Sequence, residues 1–212
     1  MQLTVLGATG GTGLEVVRQA RERGHAVTAV VRDPDRLPAG LRDGVDVVRA
    51  DVMDPGALAP LVKDRDAVIS ALGSREGRAP TTVCTDGARS AIAALRETGG
   101  VRLLTVSASG AYPGPGDDPF TRFVMKPLLG LALKQGFVDT RRADTLVAES
   151  GLDWTIVRPP RLLNGPAKGS YRTAVDRNIV GGISIRRADL AAALLDFAPA
   201  VGTVGRVVSV AG

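Results

Sequence analysis

The residues best suited to chemistry stand near the start of the chain, in Gly7-Ala8-Thr9-Gly10-Gly11-Thr12-Gly13. A short apolar run, Leu3-Thr4-Val5-Leu6, precedes them and reads as a buried strand. Leu14 to Ala20 follows and reads as a helix. A strand, a glycine turn and a helix N-terminus together offer unpaired N–H groups and a positive dipole end, which suits a pyrophosphate. Gly7 would allow the tight turn, Gly10 or Gly11 the approach of phosphate, and Gly13 the close packing of helix on strand. Thr9 and Thr12 add hydroxyl donors. The chemistry implied is the binding of a dinucleotide.

Four further groups extend this reading. Arg32 closes the second apolar run, Ala26 to Val31, and Arg36 follows one turn later. Arginine at this place can pair with the 2′-phosphate of NADP through its planar fork, so NADP is favoured over NAD. Asp33 either serves a ribose or caps the short helix that Pro34 begins. Asp51 and Val52, at the exit of a third run, are placed to meet adenine, and Asp54 before Pro55 reads as a helix cap. Ala71, Leu72 and Gly73 end a fourth run and would let the backbone pass near the nicotinamide ribose. Ser107-Ala108-Ser109-Gly110-Ala111-Tyr112 ends a fifth. Either serine could donate to a substrate carbonyl or to the nicotinamide, and Tyr112 is a candidate proton donor if a cation lies near.

The elements that must position these residues alternate along the chain. Strand-like runs rich in Val, Leu, Ile and Ala are separated by helical patterns, with further strands at Trp154–Val157 and Arg206–Val210 and short extended pieces at 171–175 and 183–185. This predicts an α/β fold: a Rossmann-like, doubly wound, mostly parallel sheet with helices on both faces, formed as a single domain over 1–212. Phe120, Phe123, Val124, Pro127, Leu128 and Leu131 recur at helical spacing and read first as core, or else as a wall of the substrate pocket or a dimer surface. Pro113 to Asp118 reads as a flexible lid.

Composition limits the alternatives. The net charge is +5 and aromatics make up 3%, so the basic balance comes with few rings to stack bases, and no nucleic-acid partner is expected. The single cysteine, Cys84, excludes an internal disulfide and a cysteine zinc cluster; burial against the core is its expected role. No metal site is expected. No leader and no apolar span of membrane length is evident, so a cytoplasmic protein without a membrane partner is expected.

Taken together, these motifs resemble the atypical short-chain dehydrogenase/reductase family, specifically its small NAD(P)H-binding members of the flavin reductase/biliverdin-IXβ reductase and NmrA-like kinds. Beside the glycine loop, the resemblance rests on Val31 to Pro38, Asp51-Val52, Pro80 to Val83, Gly87-Ala88-Arg89, Ser107-Ala108-Ser109, Ser150 to Pro160 and Ile185 to Leu190. It implies NADPH lying across the strand ends, with Arg32 and Arg36 at the 2′-phosphate and a serine after the fifth strand near the nicotinamide. Pro159 and Pro160 would lie beside the nicotinamide ring. The Tyr-x-x-x-Lys pair of ordinary short-chain dehydrogenases is absent, since Gly116 stands where lysine would follow Tyr112. Arg161 replaces the histidine that follows the two prolines in the flavin reductase, and its role would be electrostatic. The expected activity is NADPH-dependent hydride transfer to a small-molecule acceptor that is flat and electron-poor, such as a flavin or quinone, by a monomer or homodimer. The alternative is a non-catalytic NADP-binding regulator of NmrA type, with an epimerase- or lyase-like enzyme behind it.

Overall fold

The computed structural model describes residues 1–73, 79–100 and 102–212. Among the described residues, ten strands and six α-helices follow in chain order: β1 Gln2–Leu6, α1 Gly11–Glu22, β2 Ala26–Val31, β3 Val45–Arg49, α2 Pro55–Val62, β4 Ala67–Ser70, α3 Val83–Thr98, β5 Arg102–Val106, α4 Lys126–Ala132, α5 Lys134–Ala148, β6 Asp153–Arg158, β7 Arg161–Leu163, β8 Arg172–Val175, β9 Ser184–Arg186, α6 Arg187–Phe197 and β10 Arg206–Ala211.

Eight strands form one sheet in the order β3-β2-β1-β4-β5-β6-β10-β8. All pair in parallel except β8, which runs antiparallel to β10 at the edge. The order reverses between β1 and β4, and ligands bind at such switch points. Strands buried on both faces explain the unbroken Val, Ile and Leu runs. On one face α1 and α6 pack together, with Val16, Val17, Leu190 and Leu194 against Leu3 and Val5. On the other, α2, α3 and α5 cover Leu6, Val68 and Leu103 through Leu58, Ile92, Leu95 and Val147. The expected doubly wound α/β architecture is the one observed.

Three local features depart from or add to the sequence reading. First, 161–163 forms a strand, and β7 pairs in parallel with β9 in a separate two-stranded sheet. Second, the apolar stripe from Phe120 is not core: Phe123 is 70% and Leu131 76% exposed. This segment, a π-helical turn at Thr121–Met125 leading into α4, is anchored by its lysine. Lys126 is buried and pairs with buried Asp117 at 2.8 Å. Third, 113–118 is a pinned loop rather than a lid. Asp117 accepts from Gly114 N–H at 2.9 Å and from the Asn178 amide at 3.0 Å, and Asn178 N–H donates to the Pro115 carbonyl at 2.8 Å.

Candidate active site

The glycine loop folds as its spacing implies. Gly7 adopts φ +75°, a conformation that favours glycine, and a Cβ there would lie 2.9 Å from the Ala71 carbonyl oxygen. A Cβ at Gly13 would collide with the Gly7 carbonyl oxygen, so only glycine lets α1 begin this close to β1. Gly10 is the N-cap of α1, which has no side-chain cap and no acidic residue in its first turn. An uncapped N-terminus at the carboxyl edge of a parallel sheet fits a dinucleotide's diphosphate. Gly11 has a different neighbour: a Cβ there would lie 2.8 Å from both Cδ and Nε of Arg187.

A cleft of about 380 Å³ opens at this edge. Its walls include Gly7, Thr9, Gly10, Arg32, Asp51, Val52, Ala71, Leu72 and Gly73. Ends of β1, β2, β3 and β4 are thus brought together as the sequence requires. Ala71 N–H donates to the Leu6 carbonyl at 2.9 Å, which carries the β1–β4 pairing into the cleft floor. Asp51 accepts from Met53 N–H at 3.0 Å and is held in its turn through one oxygen. Asp33 accepts from Asp35 N–H at 3.1 Å, so it caps the one-turn helix Pro34–Arg36. Asp54 caps α2 by accepting from Gly56 and Ala57 N–H. Arg36 is exposed and lies outside the residues lining the cleft; Thr12 and Gly13 sit behind them within α1.

Leu72, Gly73 and Thr81 also line a second cavity, of about 200 Å³, so the two spaces adjoin along these residues. Its other walls are Cys84, Val106, Ser107, Ala108, Leu133, Gly136, Phe137, Asp139 and Thr140. Ser107 and Ser109 part company here. Ser107 faces this cavity, whereas Ser109 borders a separate hollow of about 30 Å³ with Lys126, Arg158 and Pro160. Pro159 is buried, and its carbonyl accepts from Ser109 N–H at 2.9 Å. Tyr112 and Arg161 line none of the three cavities, and Arg161 is exposed at the start of β7.

Behind Ser107 lies a buried polar network that sequence reasoning missed. Ser107 Oγ donates to Asp144 Oδ2 at 2.7 Å, and Arg158 Nη2 donates to the same oxygen at 3.2 Å. The Arg158 guanidinium stacks 3.4 Å from the centre of the Tyr112 ring. Burial, then Asp144, push the phenol above its ordinary value of 10.0 despite the neighbouring cation, which keeps Tyr112 protonated. Burial raises the Asp144 carboxyl too. With its hydrogen committed to Asp144, Ser107 Oγ has only acceptor capacity left for a further partner.

Asp139 is the second carboxylate without a sequence signal. It accepts from the Cys84 and Thr85 N–H groups, both at 2.9 Å, and from the Thr85 hydroxyl at 2.6 Å, closing the N-terminus of α3. Burial, then Asp139, push the Cys84 thiol up to about 12, so it is not a ready thiolate.

No helix among the described residues is long and apolar enough to cross a membrane. Over most of its length the chain is similar to known proteins. It is 34% identical over 200 residues to an uncharacterized chloroplastic protein of Arabidopsis thaliana, covering 85% of this chain and 69% of that one. Its structure resembles a short-chain dehydrogenase/reductase (wide type) from Veillonella parvula solved in complex with NADP, with TM-score 0.81 and 22% identity over 100% of this chain and 94% of that one. It also resembles ChuY, an anaerobillin reductase from Escherichia coli O157:H7, with TM-score 0.75 and 25% identity over 100% and 97% of the two chains. The fold is that of the NAD(P)-binding oxidoreductases. A model of the NAD(P)H-binding family matches residues 7–199, and the chain belongs to that family, an atypical Rossmann-fold group related to the short-chain dehydrogenases and to flavin- and biliverdin-reductase-like proteins.

Proposed function

We propose that the chain is an NADPH-dependent reductase that passes hydride to a flat, electron-poor acceptor such as a flavin or quinone. The observation that carries this reading is that the cleft at the glycine loop adjoins the cavity at Ser107, with Leu72, Gly73 and Thr81 as shared walls. The likeness to an anaerobillin reductase agrees with it.

In this reading Arg32, on the cleft wall at the end of β2, pairs with the 2′-phosphate and selects NADPH over NADH. Val52 would lie against adenine, and the second oxygen of Asp51 would accept from its amino group. Gly10 and the first N–H groups of α1 hold the diphosphate. When bound, the cofactor supplies a hydride from the nicotinamide. Ser107 would accept from the carboxamide N–H₂, with Asp144, itself held by Arg158, keeping the serine in place. Phe137, Leu133 and Val106 give the cavity apolar walls on which a planar acceptor stacks, so proximity does most of the work. An acceptor of this class takes its balancing proton from water, which suits a site whose tyrosine is buried and held protonated.

The test is NADPH oxidation by the purified protein with a panel of flavins, quinones and azo dyes. Turnover with at least one acceptor, and preference for NADPH over NADH, is expected. Arg32→Ala is expected to weaken NADPH by more than about tenfold while leaving NADH within about threefold. Tight NADPH binding without turnover would replace the reductase with a dinucleotide-sensing regulator. Equal weakening of both nucleotides by Arg32→Ala would refute the 2′-phosphate assignment.

A further inference from the structure

The small sheet that sequence reading missed has a consequence at the glycine loop. β7 and β9 pair in parallel register, with Leu163 opposite Arg186. The next residue on each side is therefore Asn164 and Arg187. Arg187 Nη1 donates to Asn164 Oδ1 at 2.6 Å. The arginine stem lies against Gly11, where an added Cβ would stand 2.8 Å from Cδ and Nε. The Arg187 stem thus lies over the first residue of α1, just outside the residues that line the cleft, with its guanidinium held by Asn164.

We infer that Arg187 is a second cofactor-binding cation, brought by the β7–β9 sheet across the N-terminus of α1 to neutralise the dinucleotide's diphosphate. The argument rests on the dinucleotide reading of the cleft and adds a contact from the far end of the chain. The α1 N-terminus offers only partial positive charge, whereas a diphosphate carries two full negative charges. No acidic residue occupies the first turn of α1 to compete for the arginine. The division of labour follows: Arg32 recognises the 2′-phosphate that only NADPH carries, and Arg187 the diphosphate that NADPH and NADH share.

The experiment is calorimetric titration of wild-type protein, Arg187→Ala and Asn164→Ala with NADPH, NADH, ADP-ribose and 2′-AMP. Arg187→Ala is expected to weaken the first three by a similar factor, about tenfold or more, and to leave 2′-AMP, which has no diphosphate, unchanged. Asn164→Ala, which frees the arginine without removing it, is expected to give the same pattern at smaller size. Thermal melting of each apo variant checks that the fold persists. If Arg187→Ala misfolds, Asn164→Ala carries the test alone. Unchanged affinity for NADH and ADP-ribose, or a loss that extends to 2′-AMP, would overturn the inference while leaving the cleft assignment intact. Failure of the wild-type protein to bind any of the four would overturn both.

Discussion

Two helix N-termini meet the carboxyl edge of the sheet beside the cleft, and they are finished in opposite ways. That of α1 opens on Gly10 with no side-chain cap. That of α3 is filled from α5 by Asp139, which takes two N–H groups and a hydroxyl. Both ends have the same unpaired donors and the same dipole. The molecule supplies its own anion to one and, in the proposed reading, leaves the other for the cofactor's diphosphate. An anion site in this fold is defined as much by which carboxylates are withheld as by which glycines are present.

This contrast can be broken at several points. The largest effect is expected at Gly13. Alanine there would drive a methyl group into the Gly7 carbonyl and separate α1 from β1. A stability loss of about 3 kcal/mol is expected from such overpacking, read by chemical denaturation. A variant as stable as the wild type would show that α1 need not sit so close. Asp139→Ala should come next, costing about 2 kcal/mol through orphaned N–H groups at α3, with Asp139→Asn costing less. An unchanged midpoint would mean that water caps α3 as well as the carboxylate does.

Asp144 gives a pH-dependent effect. Burial raises its carboxyl above the ordinary 3.8, so the folded protein holds that proton more tightly than the unfolded chain. The associated stabilisation is full below 3.8 and is lost as pH climbs through the raised value. Asp144→Asn cannot ionise and is expected to flatten that decline. Parallel profiles for the two proteins would remove Asp144 as the titrating group. The smallest effect is expected at Arg36, exposed and outside the cleft lining, where alanine should change NADPH affinity by less than about threefold. A loss matching that of Arg32→Ala would restore it to the 2′-phosphate site.

The two ends of the cleft also differ in how far they could be read from the sequence. The nucleotide end is built from local chemistry. Gly7 to Gly13, Arg32, and Asp51-Val52 each follow a strand directly, so a strand pattern and a turn residue are enough to place them. Asp54 before Pro55 is a cap for equally local reasons. The acceptor end is built from distant pairs. Ser107 is separated from Asp144 by 37 residues and Cys84 from Asp139 by 55. Each carboxylate lies on a helical stretch where an aspartate ordinarily reads as solvated surface. Pairing of β7 with β9 likewise depends on register between short strands, which periodicity over three residues cannot specify. The stripe at Phe120 to Leu131 misleads for a related reason. Helical spacing reveals an apolar face but not that a buried Lys126–Asp117 pair turns that face outward.

The central claim is that one bound NADPH spans from the glycine loop to Ser107. Amide hydrogen exchange followed by mass spectrometry, with NADPH and with ADP-ribose, tests it directly. Both ligands are expected to protect the segments around 7–14, 30–32 and 51–53. Only NADPH, which carries the nicotinamide, is expected to protect 106–108 as well. Protection by NADPH that stops where ADP-ribose stops would contradict the account.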